Sequence, residues 1–188
     1  MVHDNVPELP RMAEDRLIFH GPRVDFVMRP TRTTSGKVRE REVVVHPGAI
    51  IVLPVLADGR IVMIKNRRHT VNQTLLELCA GTLERDAAGR PEDPMGCAAR
   101  ELTEETGYQA GKLEAFGWFY TSPGILTEKM YAFIARELVR GEQDLEDNEQ
   151  IEVVLLTPEE ILQRIAENVI VDAKSIATLL KYLCGRKV

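Results

Sequence analysis

The chain has 188 residues, 44% hydrophobic and 28% charged, which fits one globular domain with at most a small appendage and excludes disordered and fibrous classes. Its 24 basic and 29 acidic residues leave a net charge of −5, too acidic for a nucleic-acid groove, which holds phosphates with surplus lysine and arginine. The longest stretch without Asp, Glu, Lys or Arg, residues 43–57, is too short to span a bilayer and is broken by Pro47, Gly48 and Pro54, so no membrane association is expected.

In chain order, residues 1–15 read as a loose tail without a basic-then-apolar signal pattern. From Arg16 to Ala57 the chain is rich in Val and Ile and punctuated by Gly and Pro, a β texture. Asp58-Gly59, followed by IVMIKNRR, predicts a hairpin with a tight turn. A short apolar segment, LLELCAG, ends at Gly81 and gives way to a polar, Gly-rich loop. Asp93-Pro94 supplies a cap residue and a proline at the first helical position, and Gly107 supplies the stop. A second β stretch, 112–139, turns at Ser122-Pro123-Gly124, and an acidic loop precedes the strand IEVVLLT. Thr157-Pro158-Glu159-Glu160 is a capping box opening a helix to about Asn168, and Asp172 caps a last helix stopped by Gly185. Interleaved strands, hairpins and helices predict an α/β (α+β) fold with a mixed sheet. Cys79, Cys97 and Cys184 lack metal-ligand spacing, so a reduced cytoplasmic setting is expected. The four histidines, His3, His20, His46 and His69, form no cluster in sequence, so histidine catalysis is not indicated.

The most informative stretch is Arg100-Glu101-Leu102-Thr103-Glu104-Glu105-Thr106-Gly107. Glu101, Glu104 and Glu105 share one helix face, with roots about 6 Å apart along the axis. Like charges at that spacing repel, and the C-terminal end of the macrodipole disfavours them further. Such a cluster is either a solvated acidic face or a seat for a hard divalent cation, Mg²⁺ or Mn²⁺.

The stretch resembles the Nudix box, G-x5-E-x7-R-E-U-x-E-E-x-G-U with U apolar. Glu92, the seven residues Asp93 to Ala99, Arg100-Glu101-Leu102, Glu104-Glu105, Gly107 and Tyr108 carry the helix half. Ten residues rather than five separate Gly81, as the leading glycine, from Glu92, so Asp86 to Arg90 read as a surface-loop insertion. The resemblance implies a Nudix α/β/α sandwich (residues 46–188) preceded by a tail and small N-terminal β subdomain (1–45) that serves dimerisation. It implies Glu101 and Glu105 as metal ligands, Glu104 as a further ligand or base, and the Ala80 carbonyl in the coordination shell. Arg100 is expected to pair with a neighbouring carboxylate rather than touch substrate.

Outside the box, features resemble the ADP-ribose and nucleotide-sugar pyrophosphatase branch. Leu76 to Gly81 looks like its E-U-P-A-G segment, with Cys79 in place of proline; Ser122-Pro123-Gly124 matches its S-P-G turn, and Asp172-Ala173-Lys174-Ser175 its last helix start. By that resemblance Arg68 grips the pyrophosphate or terminal ribose, or is a surface arginine in a hairpin. Arg41 and Glu42 contact the base or form a cross-strand salt bridge. Ser122 and Gly124 belong to the binding turn. Glu149, in the acidic loop, is a general base or further ligand, and Glu128 a backup acid. The implied reaction is metal-dependent hydrolysis of a nucleoside diphosphate sugar, ADP-ribose to AMP and ribose 5-phosphate, by a cytoplasmic homodimer. GDP-mannose is the alternative substrate, and a non-catalytic nucleotide sensor the alternative of another class.

Overall fold

The computed structural model describes residues 11–84, 90–145 and 150–185. Its strands are β1 (Arg16–His20), β2 (Asp25–Arg32), β3 (Val38–Val45), β4 (Ala49–Pro54), β5 (Ile61–Arg68), β6 (Gln73–Glu77), β7 (Ala80–Thr82), β8 (Tyr108–Tyr120), β9 (Lys129–Arg140) and β10 (Ile151–Leu156). The helices are α1 (Pro94–Thr106), α2 (Pro158–Ala166) and α3 (Ala173–Gly185). The mixed α/β class expected from the sequence is what the chain adopts. None of its described helices is long and apolar enough to cross a membrane.

The layering follows from β4, all six of whose residues are buried. Side chains alternate across a strand, so a strand apolar on both faces must be covered on both. Ala49, Ile51 and Leu53 pack into one core with Ile161 of α2 and Leu179 and Tyr182 of α3. Ile50 and Val52 pack into the other with Cys97, Ala98 and Leu102 of α1. Each buried Leu, Ile or Val contributes about 1.5–3 kcal/mol. One sheet runs β7-β4-β9-β8, with β4 parallel to β9 and the other pairs antiparallel. A second, antiparallel, runs β10-β5-β6.

The hairpin expected at Asp58-Gly59 is only a turn. Leu56 N donates to the Arg60 carbonyl (2.9 Å) and Val55 bridges Ile61, but beyond that point β4 and β5 part into different sheets. Each is apolar on both faces and takes its own two neighbours. The last helix runs through Gly185 rather than stopping before it.

β1, β2 and β3 make a separate antiparallel sheet. It joins the rest through Val44, whose N–H donates to the Ile125 carbonyl (2.8 Å) and whose carbonyl accepts from Thr127 N (3.0 Å).

The termini of α1 are set by sequence. Asp93 accepts from Gly96 N (2.9 Å), and Gly107 closes the helix at φ 73°, its N–H on the Thr103 carbonyl (2.8 Å). A Cβ on Gly107 would lie 2.9 Å from the Gly141 carbonyl oxygen. Gly107→Ala therefore meets both a left-handed backbone and a backbone contact. We expect a loss of more than about 1 kcal/mol, read as a Tm drop of about 2–4 °C per kcal/mol in thermal denaturation.

Candidate active site

Helix α1 buries Cys97, Ala98 and Leu102 completely, and this fixes where its carboxylates stand. Glu105 is itself 3% exposed, and its Oε2 accepts from Ala80 N (3.2 Å). Glu101 lies directly on Gly81: a Cβ there would collide with the Glu101 carboxyl group, which can hold this position only over a glycine. Burial pushes Glu105 up to about 7; the Glu101 charge adds to that, while hydrogen bonds from Cys79 and Ala80 and the Arg68 charge oppose it.

Arg100 gathers the other acids. Its guanidinium reaches Glu92 (3.2 Å), Glu101 (3.1 Å) and Glu104 (2.7 Å), the carboxylate pairing expected of it. Glu84 and Glu92 meet, with Glu92 N donating to the Glu84 carbonyl (2.8 Å). Residues 86–89 of the expected insertion lie outside the described residues.

Among the described residues no three acid, His or Cys side chains converge as a ready metal cage. That suits Mg²⁺ or Mn²⁺, which take one or two carboxylates and complete their shells with water and substrate phosphates. Glu101 and Glu105, packed on either side of the Ala80–Gly81 backbone, supply hard oxygen donors, and a cation between them would relieve the cost of a buried carboxylate. The donor set fits such an ion.

Beside this backbone opens a cleft of about 310 Å³, lined among others by Arg68, Ala80, Gly81, Thr121, Glu128 and Lys174. Arg68, expected as a substrate ligand or a surface arginine, is neither free nor merely superficial. It holds Glu77, which is fully buried, through Nε (2.9 Å) and the Nη2 atom (2.7 Å). Lys174 Nζ shares the same carboxylate (2.7 Å) and reaches Asp172 (2.8 Å). The hydrogen bond to Glu77 raises the Arg68 pKa further.

Glu128 accepts from the Thr121 hydroxyl (2.5 Å) and lies 3.5 Å from His46 Nε2. His46 Nδ1 accepts from Gly48 N (3.1 Å), and burial lowers its pKa against the pull of Glu128. No local pattern joins His46 to Glu128, which is 82 positions away. Glu77 and Lys174 were also missed; an acid inside the apolar run LLELCA was the signal, because a buried charge requires a partner.

Glu104 is half-buried under Arg100. Ser122 is exposed, its carbonyl accepting from Ile125 N (3.1 Å) and Leu126 N (2.9 Å). Gly124 is exposed with open space where a Cβ would stand. Arg41 and Glu42 are exposed on β3, across from Arg29 and Met28. Neither makes an ion pair with another described residue. Glu149, the expected acid of the 140–150 loop, lies outside the described residues.

A profile described as the NUDIX domain matches residues 45–179. The chain is 39% identical over 168 residues to an ADP-ribose pyrophosphatase of Bacillus subtilis (strain 168), covering 88% of each. It is 37% identical over 145 residues to a GDP-mannose pyrophosphatase of Yersinia pestis (strain Pestoides F), covering 72% of this chain and 69% of the relative. A crystal structure of an ADP compounds hydrolase superposes with a TM-score of 0.76 over 93% of this chain and 94% of that one, at 16% identity, a likeness of fold.

Two outcomes are expected. Gly81→Ala displaces the flexible end of Glu101, so the Tm of the protein should hardly move while turnover falls on the order of 100-fold. In metal-free protein the fold keeps a proton on Glu105 that the unfolded chain releases between about pH 4.5 and 7. The folded state then binds more protons than the unfolded, so stability falls as pH rises through that window. Thermal melts in chelator should show this slope in the native chain and its loss in Glu105→Gln.

Proposed function

The chain belongs to the NUDIX family, and from that premise we propose that it is a metal-dependent pyrophosphohydrolase of nucleoside diphosphate sugars. ADP-ribose is the substrate proposed first, giving AMP and ribose 5-phosphate. The reading is carried by one observation: two glutamates of one helix turn flank the Ala80–Gly81 backbone at the edge of a cleft whose other wall holds Arg68. The relative named ADP-ribose pyrophosphatase supports the choice of substrate. GDP-mannose is the second reading, favoured by the relative named for that substrate.

Glu101 and Glu105, with the Ala80 carbonyl, hold Mg²⁺ or Mn²⁺, and Glu104 stands by as a further ligand or base. When bound, the ion draws charge from the phosphate oxygens and lowers the pKa of an attacking water. Arg68 faces the diphosphate and fixes it for in-line displacement. The attacking water gives its proton to a carboxylate, Glu149 or Glu104, with Glu128 as the reserve acid. Ser122 and Gly124 belong to the turn bounding the cleft, and Arg41 and Glu42 contact the base. A non-catalytic sensor would have no need of all three box glutamates, and all three are present.

We assign the protein to the cytoplasm as a homodimer whose N-terminal β region, about residues 16–45, extends over the neighbouring subunit. Supporting this, Leu17, Ile18 and Phe19 of β1 are 41%, 46% and 62% exposed, an apolar row left uncovered in a single chain.

A panel of ADP-ribose, GDP-mannose and NADH tests the reading with purified protein. ADP-ribose should show the highest kcat/KM, activity should vanish in EDTA, and Mg²⁺ or Mn²⁺ should restore it. Hydrolysis that persists without metal would overturn the mechanism.

A further inference from the structure

Outside α1, Glu77 is the one charged residue that is buried as a whole among the described residues. It is fully buried at the end of β6, and its carboxylate takes three close contacts from two cations: Arg68 Nε on Oε1 (2.9 Å), the Arg68 Nη2 atom on Oε2 (2.7 Å) and Lys174 Nζ on Oε2 (2.7 Å). Lys174 is held in turn by Asp172 (2.8 Å), which also accepts from Ser175 N (3.0 Å) and Ser175 Oγ (2.5 Å). Ser175 Oγ accepts from Leu78 N (2.8 Å), so the start of α3 is bolted to the residue after Glu77.

Burying this many charges is costly, and apolar residues of similar volume could fill the same space at no loss of stability. The arrangement has a different product. An arginine side chain has many rotamers, and a flexible ligand residue loses that freedom on binding. Arg68 has already lost it. The pair uses Nε and the Nη2 atom, which leaves the other edge of the guanidinium outside the bond to Glu77. Arg68 and Lys174 both line the cleft, whereas Glu77 does not.

We propose that Glu77 is a positioning residue for substrate: it fixes the Arg68 guanidinium with its unused edge toward the diphosphate, and Lys174 locks the carboxylate against rotation. This rests on the reading of Arg68 as a diphosphate ligand given under Proposed function. Glu77 touches no substrate and acts through Arg68.

Steady-state kinetics with ADP-ribose and saturating Mg²⁺ test it on Arg68→Ala, Glu77→Gln and the double variant, each checked for native circular dichroism. Arg68→Ala and Glu77→Gln should each raise KM about tenfold with kcat within about twofold, and the double variant should match Arg68→Ala within about twofold. If Glu77→Gln does not fold, Lys174→Gln serves in its place. It should raise KM by about threefold and add nothing in the Arg68→Ala background. KM effects that multiply in the double variant, or a loss of stability and kcat with KM unchanged, would show a merely structural role and overturn the inference alone. Failure of the native chain to hydrolyse both ADP-ribose and GDP-mannose would overturn the functional reading and this inference with it.

Discussion

Mutual repulsion among acids packed into about one helical turn is the constraint that shapes this molecule. Two unit charges about 6 Å apart cost about 3 kcal/mol at an effective dielectric constant of about 20. Glu92, Glu101 and Glu104 gather round Arg100, while Glu105, against Ala80, is nearly sealed from water. Arg100 offsets three of them from the solvent side. Nothing of that kind reaches Glu105, whose oxygen has a backbone N–H and a buried thiol instead. The leftover charge is what a divalent ion would neutralise, and the absence of a glycine side chain at position 81 is what lets Glu101 approach near enough to share it.

Much of this was readable along the chain because it is local. The cap at Asp93, the stop at Gly107 and the three glutamates on one face depend on spacings of at most fourteen residues, and all appear where the pattern put them. The turn at Asp58-Gly59 was local too, yet the pairing beyond it was not. Whether two apolar strands face each other or separate is decided by which neighbours cover their edges; β6 follows β5 directly, but β7, β9 and β10 lie far along the sequence. The same reason hid the cleft wall. Glu77 and Lys174 are 97 positions apart, His46 and Glu128 are 82. A charge within LLELCA announces that a partner must exist, but the sequence does not name it.

The box insertion shows how distance along the chain and distance in space come apart. The resemblance places Gly81 five residues too early, which in an unfolded chain would be a serious displacement. In the fold, Glu84 and Glu92 meet backbone to backbone, and Arg100 then fixes Glu92 to the helix. The register of Gly81 against Glu101 is therefore set by β7 pairing with β4 and by α1 packing on β4, not by the length of the loop between them.

A net charge of −5 seems ill suited to a diphosphate, and the arrangement of the cleft resolves the difficulty by separating signs. Acids stand on the helix side of the Ala80–Gly81 backbone, where their field is directed at a cation. On the other wall Arg68 and Lys174 face Glu77 and Asp172, two charges against two, so the wall is balanced when empty. Glu77 lies beneath the surface while Arg68, Lys174 and Asp172 line the opening, so this neutral group shows a single positive charge in excess on its exposed side. An anion entering the cleft thus meets a positive edge at short range and no net attraction at long range. On the proposed reading, selectivity for the substrate depends on close fit to a rigid guanidinium rather than on the general pull that a basic surface exerts on every polyanion.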